Sequence, residues 1–202
     1  MDFRAHWERI YGEKRPDEVS WFEPTPRISL ELIDEAGIDR GAPVVDVGGG
    51  ASRLAGELVA RGYTDVTVAD ISGRSLAFAR TELGESADRI TWLEADVLGD
   101  DLGRRFALWH DRAVLHFMVD RRDRDAYLST LRRSLAPDGQ LVVATFGPEA
   151  PPTCSGLPVH RYAADQLSEL LPDFELASSR YELHHTPGGK KQQFVYARFV
   201  RS

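Results

Sequence analysis

From Pro43 onward the chain alternates short apolar runs with segments of helical periodicity, and few architectures accept that alternation. Val44-Val45-Asp46-Val47 reads as a buried strand, Ser52 to Arg61 as a helix, Val66 to Asp70 as a second strand and Gly73 to Leu83 as a second helix. Arg89 to Glu94 and Phe106 to His110 read as the third and fourth strands, Arg124 to Leu135 as a helix and Gln140 to Thr145 as the fifth strand. Ala136-Pro137-Asp138-Gly139 supplies turn chemistry between the last two, since Pro fixes φ and Gly accepts φ > 0. Repeated strand-helix units of this kind build a parallel sheet with helices on both faces. The end of the chain breaks the scheme. Phe174 to His185 and Lys191 to Val200 are extended stretches joined only by Thr186 to Lys190, too short for a parallel crossover, so they form an antiparallel hairpin. The expectation is an α/β, three-layer sandwich around a mostly parallel seven-stranded sheet that ends in that hairpin.

Before the sheet, about forty residues read as extra N-terminal helices around a Pro-punctuated loop. Asp2 to Tyr11 is helical, Trp21-Phe22-Glu23-Pro24-Thr25-Pro26 is the loop, and a helix from about Pro26 to Ala36 is closed by Gly37. A length of 202 residues suits a single domain, 1–202, with 1–40 as a lid or collar and 41–202 as the sheet core. No apolar run is long enough to cross a bilayer, and the first nine residues are charged throughout rather than apolar like a secretory signal. With a lone Cys154 unable to form an internal disulfide, the expected location is cytoplasmic. The net charge of −7, from 32 acidic against 25 basic residues, disfavours nucleic acid as a partner and favours a cationic small molecule.

Asp46-Val47-Gly48-Gly49-Gly50-Ala51-Ser52 lies between a strand and a helix, where glycines let the backbone approach a ligand closely. Asp46, Asp70 and Asp96 fall at or just after the carboxyl ends of the first three strands, the edge at which open α/β sheets bind ligands. Asp70 stands about twenty residues beyond the glycines, the spacing from which a carboxylate accepts hydrogen bonds from ribose hydroxyls; its alternative is a helix N-cap. For Asp96 the alternative is a solvated loop carboxylate. The glycine spacing lacks the third glycine of a dinucleotide fingerprint, and there is no P-loop Lys, so a nicotinamide-dependent oxidoreductase is disfavoured.

As a set these motifs resemble the class I, Rossmann-like S-adenosylmethionine-dependent methyltransferases, over nearly the whole chain. The resemblance rests on the Asp46 to Gly50 loop, Asp70, Asp96-Val97, Trp109-His110-Asp111-Arg112, and Leu135 to Val143 before the terminal hairpin. Ser52 departs from it, standing where many members have a further glycine. The resemblance implies S-adenosyl-L-methionine as cofactor, with Gly48 and Gly50 under the methionine part, Asp70 at the ribose, Asp96 and Val97 at the adenine, and Gly49 and Ile71 among the cofactor contacts. Asp46 suits the ammonium and sulfonium charges, and Asp111 is included among the cofactor contacts. Trp7, Tyr11, Trp21 and Phe22 look like the aromatic collar of thiol-, thiopurine- and lysine-directed members, with packing of the extra helices as the plain alternative.

Methyl transfer from a sulfonium is a direct displacement that depends on alignment in a water-poor site, with a base needed only for some acceptors. Asp111 and His116, following the fourth strand, are the catalytic candidates; a structural ion pair and a satisfied core histidine are their alternatives. Trp21, Arg112, His160 and Arg161 are the candidate substrate contacts. Cys154 is read as an ordinary buried thiol. No metal is expected, because His184 and His185 are adjacent in a strand and point to opposite faces. The functional expectation is a methyltransferase acting on a small molecule. The alternatives are a protein lysine N-methyltransferase and a non-catalytic module that keeps the cofactor fold.

Overall fold

The computed structural model describes residues 2–202. Two helices precede the sheet. Helix α1, Phe3–Glu13, starts where the Asp2 carboxylate accepts from the Ala5 N–H at 2.9 Å, and α2, Arg27–Ala36, stops at Gly37 in the left-handed region. Then follow β1 (Val44–Val47), α3 (Leu54–Ala60), β2 (Val66–Asp70), α4 (Gly73–Leu83), β3 (Ile90–Glu94) and β4 (Phe106–Arg112). The chain finishes with α5 (Arg121–Ser134), β5 (Leu135–Phe146), β6 (Thr153–Cys154), β7 (Leu157–Pro158), α6 (Ala164–Leu170), β8 (Phe174–His185) and β9 (Lys191–Arg201).

The strands lie in the order β3-β2-β1-β4-β5-β9-β8, a seven-stranded sheet that is parallel from β3 to β5 and antiparallel across β5-β9-β8. The α/β sandwich expected from the alternation is therefore the fold observed. Every residue of β1 and β2 is buried, which is why these strands read as mostly apolar runs without polar alternation; helices cover both sheet faces there. At the far edge β8 alternates between partly covered and exposed residues, because one of its faces meets solvent. His184 is buried and the adjacent His185 exposed, as strand alternation requires. Leu58, Phe106, Trp109, Tyr127 and Phe199 are wholly enclosed, and truncating any of the apolar ones to Ala would cost about 2–5 kcal/mol.

Two local expectations are corrected. Strand β4 runs two residues beyond His110, with Asp111 opposite Val143 and Arg112 opposite Ala144 on β5, so these side chains stand on rigid strand and not in a loop. The 136–139 turn is absorbed into β5 as an irregularity: Phe106 pairs with Leu135 and Leu108 with Gln140, leaving the intervening residues out of the ladder. The region after β5 contains the β6-β7 hairpin and α6. Ser155 and Gly156 turn that hairpin with φ of 51° and 79°, the double left-handed pair of a two-residue turn.

Among the described residues no helix is long and apolar enough to cross a membrane. No group of three or more His, Cys, Asp or Glu among them is placed to hold a metal ion.

Candidate active site

At the carboxyl ends of β1, β2 and β4 the sheet opens into a cleft of two lobes, enclosing about 730 and about 520 Å³. Tyr11, Trp21, Gly48 and Arg112 border both lobes and so mark their junction. The larger lobe carries Asp70, Ile71, Asp96, Val97 and Leu98 along the β2-β3 side, with Val114, Phe117 and Met118 facing them. The smaller lobe carries Asp46, Gly49, Ser52, Arg53, His110 and Glu23.

The glycine turn is shaped by what lies against it. Gly48 has φ 63°, and a β-carbon there would run into the Val114 side chain, so the backbone can form the cleft floor only as glycine. At Gly50 an added β-carbon would lie 2.5 Å from Asp70 Oδ2, so this glycine sits behind the cleft and makes room for the next strand's carboxylate. Gly49 passes directly over the Asp46 carboxylate in the same way.

Asp70 ends β2 with its carboxylate buried; Oδ1 accepts from the Ser72 N–H at 2.8 Å. Burial pushes its pKa up to about 6, opposed by the hydrogen bonds from Ser72 and Ser75. The helix N-cap reading of this position passes to Ser72, whose hydroxyl accepts from the Ser75 N–H. Asp96 lies on the lining with Oδ1 accepting from the Leu98 N–H at 2.9 Å.

Two buried polar assemblies underlie the smaller lobe. In the first, His110 Nδ1 lies 2.7 Å from Asp46 Oδ1 and Nε2 lies 2.9 Å from Ser29 Oγ, while Asp46 Oδ2 is buried without a hydrogen-bond partner. In the second, Arg112 donates from Nε to the Tyr196 hydroxyl at 2.9 Å and from Nη1 to the Trp21 carbonyl at 2.8 Å. Its guanidinium also lies over the Phe194 ring, 4.5 Å from the centroid, and its Nη2 is 3.1 Å from Glu23 Oε1. Burial raises the Glu23 pKa against the opposing pull of Arg112.

The collar closes the site. Phe3, Trp7 and Tyr11 recur every four residues along one face of α1, and all three line the larger lobe. Trp7 meets Trp21 and Phe117 edge-on at centroid distances of 5.5 and 5.1 Å, and Tyr11 meets Trp21 at 6.2 Å. Burial raises the Tyr11 phenol pKa, with the Asp70 charge adding to the effect, so this hydroxyl stays neutral. Helix α1 is clasped to the β2-α4 corner: the Ser72 hydroxyl donates to Glu8 at 2.8 Å, Arg4 donates to the Ile71 carbonyl at 3.0 Å, and Arg74 pairs with Glu8 at 3.1 Å.

Of the residues singled out from sequence, Asp46, Gly48, Gly49, Asp70, Ile71, Asp96, Val97, Trp21 and Arg112 all come to this cleft. Asp111, His116, His160 and Arg161 do not line it. Asp111 is wholly buried, with Oδ1 accepting from the Val114 N–H and Oδ2 from the Leu115 N–H and the Tyr127 hydroxyl, at 2.9, 3.0 and 2.5 Å. Its lone pairs are spent on holding the turn after β4, and burial pushes its pKa up to about 6. His116 is equally enclosed; Nδ1 accepts from the Phe146 N–H at 3.3 Å, and burial with the nearby Arg112 charge drops its pKa to about 3. Neither is placed to touch a substrate, which corrects the catalytic expectation for both. The His160 N–H donates to the His116 carbonyl at 2.7 Å, and Arg161 ties down the Pro148 and Ala150 carbonyls at 3.2 Å, so both organise the loop after β5.

Sequence reasoning missed Ser29, His110, Glu23, Arg53 and the cleft-lining role of Cys154. The stripe of Phe3, Trp7 and Tyr11 was a readable signal for the α1 face. His110 and Ser29 carried none, because their meeting with Asp46 depends on which strands and helices become neighbours.

Residues 44–139 match the family described as Methyltransferase domain. No curated protein sequence matches the chain. Among solved structures, a SAM-dependent methyltransferase from Anabaena variabilis is 17% identical with a TM-score of 0.80, covering 100% of this chain and 96% of that one. The 1,6-didemethyltoxoflavin-N1-methyltransferase of Burkholderia thailandensis, solved with its namesake ligand and S-adenosylhomocysteine, is 21% identical with a TM-score of 0.76 over 98% and 87% of the two chains. A glycopeptide N-methyltransferase complexed with S-adenosylmethionine is 19% identical with a TM-score of 0.67 over 91% and 97%. Residues 44–139 thus match a methyltransferase domain, and the whole chain shares the fold of these S-adenosylmethionine-dependent methyltransferases.

Proposed function

We propose that the chain transfers a methyl group from S-adenosyl-L-methionine to a small molecule held under the aromatic collar. The carrying observation is the convergence of two buried carboxylates, Asp70 and Asp46, with the Gly48 turn on one two-lobed cleft. The residues present fit the cofactor. Asp70 offers acceptors to ribose hydroxyls, Ile71, Val97 and Leu98 offer apolar faces to a purine, and Asp96 offers an acceptor to its amino group. Asp46 Oδ2, buried and without a donor, suits an ammonium, and Arg53 in the same lobe suits a carboxylate.

S-adenosyl-L-methionine supplies an electrophilic methyl on its sulfonium. The chain's part is to orient the acceptor and keep water out. Trp7, Tyr11, Trp21 and Phe117 give the acceptor side flat apolar walls, and Arg112 is the charged group that borders both lobes. The roof formed by α1 supports a small molecule over a lysine on a folded protein, because the helix is clasped across the β2 end of the cleft. We read the chain as one domain, 1–202, with 1–40 as the collar, acting in the cytoplasm without nucleic acid as partner.

Radiolabelled S-adenosyl-L-methionine incubated with the purified chain and a panel of small nucleophiles, unfolded protein and lysine-rich peptides tests the reading. Label is expected in at least one small molecule; label confined to peptide or protein would overturn the substrate class.

A further inference from the structure

We propose that His110 and Ser29 are positioning residues that hold the Asp46 carboxylate so that Oδ2 faces the α-ammonium group of the bound nucleoside; the inference rests on the cofactor reading above. Asp46 and His110 are directly opposite each other on the neighbouring parallel strands β1 and β4, so their side chains leave the same face of the sheet. Ser29 reaches them from α2 on that face, and all three side chains are buried. A carboxylate only accepts, so the proton between them sits on His110 Nδ1 and is donated to Asp46 Oδ1; a neutral ring then leaves Nε2 to accept from the Ser29 hydroxyl.

This chain uses up both ring nitrogens of His110, so the imidazole has none left for a substrate and is no general base. It also uses up one oxygen of Asp46 and leaves the other. Oδ2 is buried, has no donor, and belongs to a residue on the smaller lobe's lining. A buried carboxylate oxygen in that state is strongly stabilised by a charged donor. Without His110 the carboxylate is free to turn about its own bond, and without Ser29 the imidazole is free to turn in the same way. Arg53 lines the same lobe, so the pair of charges there matches a zwitterionic amino-acid tail. Helix α2 thus contributes to the site through one hydroxyl, although most of its buried residues serve the core.

Calorimetry with S-adenosylhomocysteine and with the analogue that carries hydrogen in place of the amino group tests the assignment. The unaltered chain is expected to prefer the parent ligand by about tenfold or more. His110→Phe should reduce that preference to within about twofold while leaving affinity for the analogue nearly unchanged. His110→Asn, whose amide can still donate to Asp46, should restore most of the preference. Equal weakening of both ligands in His110→Phe would mean a purely structural role and overturn the proposal, as would an unaltered preference. Should His110→Phe not fold, Ser29→Ala decides: a severalfold loss of preference supports the relay, and an unchanged preference overturns it. If the unaltered chain binds neither ligand, the cofactor reading fails and takes the relay with it. If it binds both equally, the cofactor reading stands and the relay alone falls.

Discussion

At the scale of single residues, Asp70 is the group whose chemistry is most exposed to test. Its carboxyl is pushed up to about 6 by burial, so below that pH it holds a proton and would no longer offer the proposed ribose contact a charged acceptor. Affinity for S-adenosylhomocysteine is expected to fall as pH drops through about 6 and to level off above it. Asp70→Asn should bind about 10–100-fold more weakly with that pH step removed, measured by calorimetry from pH 5 to 8; a step that survives in the variant would place it elsewhere. Asp111 makes the contrast. Asp111→Ala leaves the Val114 and Leu115 N–H groups and the Tyr127 hydroxyl without their acceptor and is expected to cost about 3 kcal/mol in chemical denaturation. The fraction still folded should bind S-adenosylhomocysteine within about threefold of the original affinity. Residue identity alone could not separate these two aspartates. Both stand on buried strand, and alternation along β4 sends Asp111 to the face of the sheet opposite His110, away from the cleft.

At the scale of elements, the sequence was most legible where one rule decides the outcome. Complete burial writes β1 and β2 as mostly apolar runs, and the short Thr186 to Lys190 connection leaves β8 and β9 only one way to pair. It was least legible after β5, where α6 has seven residues and β6-β7 two each, too short for any periodicity to emerge. The end of β4 shows a related limit: Ala113 has φ 70°, a conformation its side chain disfavours, imposed by pairing of its N–H with the Ala144 carbonyl. Ala113→Gly is expected to raise the melting temperature, by relief of about 1 kcal/mol of strain; an equal or lower value would show that strain is not stored there. Helix α1 is a separate matter, since Glu8 links it to Ser72 and Arg74 at the β2-α4 corner. Glu8→Ala should speed amide exchange across α1 while leaving the strands protected; unchanged exchange in α1 would show that aromatic packing alone holds the collar.

At the scale of the whole molecule, the cleft is a product of topology. The order β3-β2-β1-β4 brings Asp70, Asp46 and His110 to one edge although they are spread over sixty-odd positions of chain, and the collar adds Trp7, Tyr11 and Trp21 from the opposite side. The glycine turn and the strand-end acids could be read in advance because each is a local consequence of strand followed by helix. The Ser29–His110–Asp46 chain and the Arg112–Glu23–Tyr196 cluster could not, since each joins elements whose adjacency only the folded sheet defines. Titration of the purified chain with S-adenosylhomocysteine in a calorimeter, with NADH as the control, decides which nucleoside this edge of the sheet binds. One nucleoside bound per chain and no heat from NADH is the predicted result; heat from NADH alone, or from neither, would contradict it.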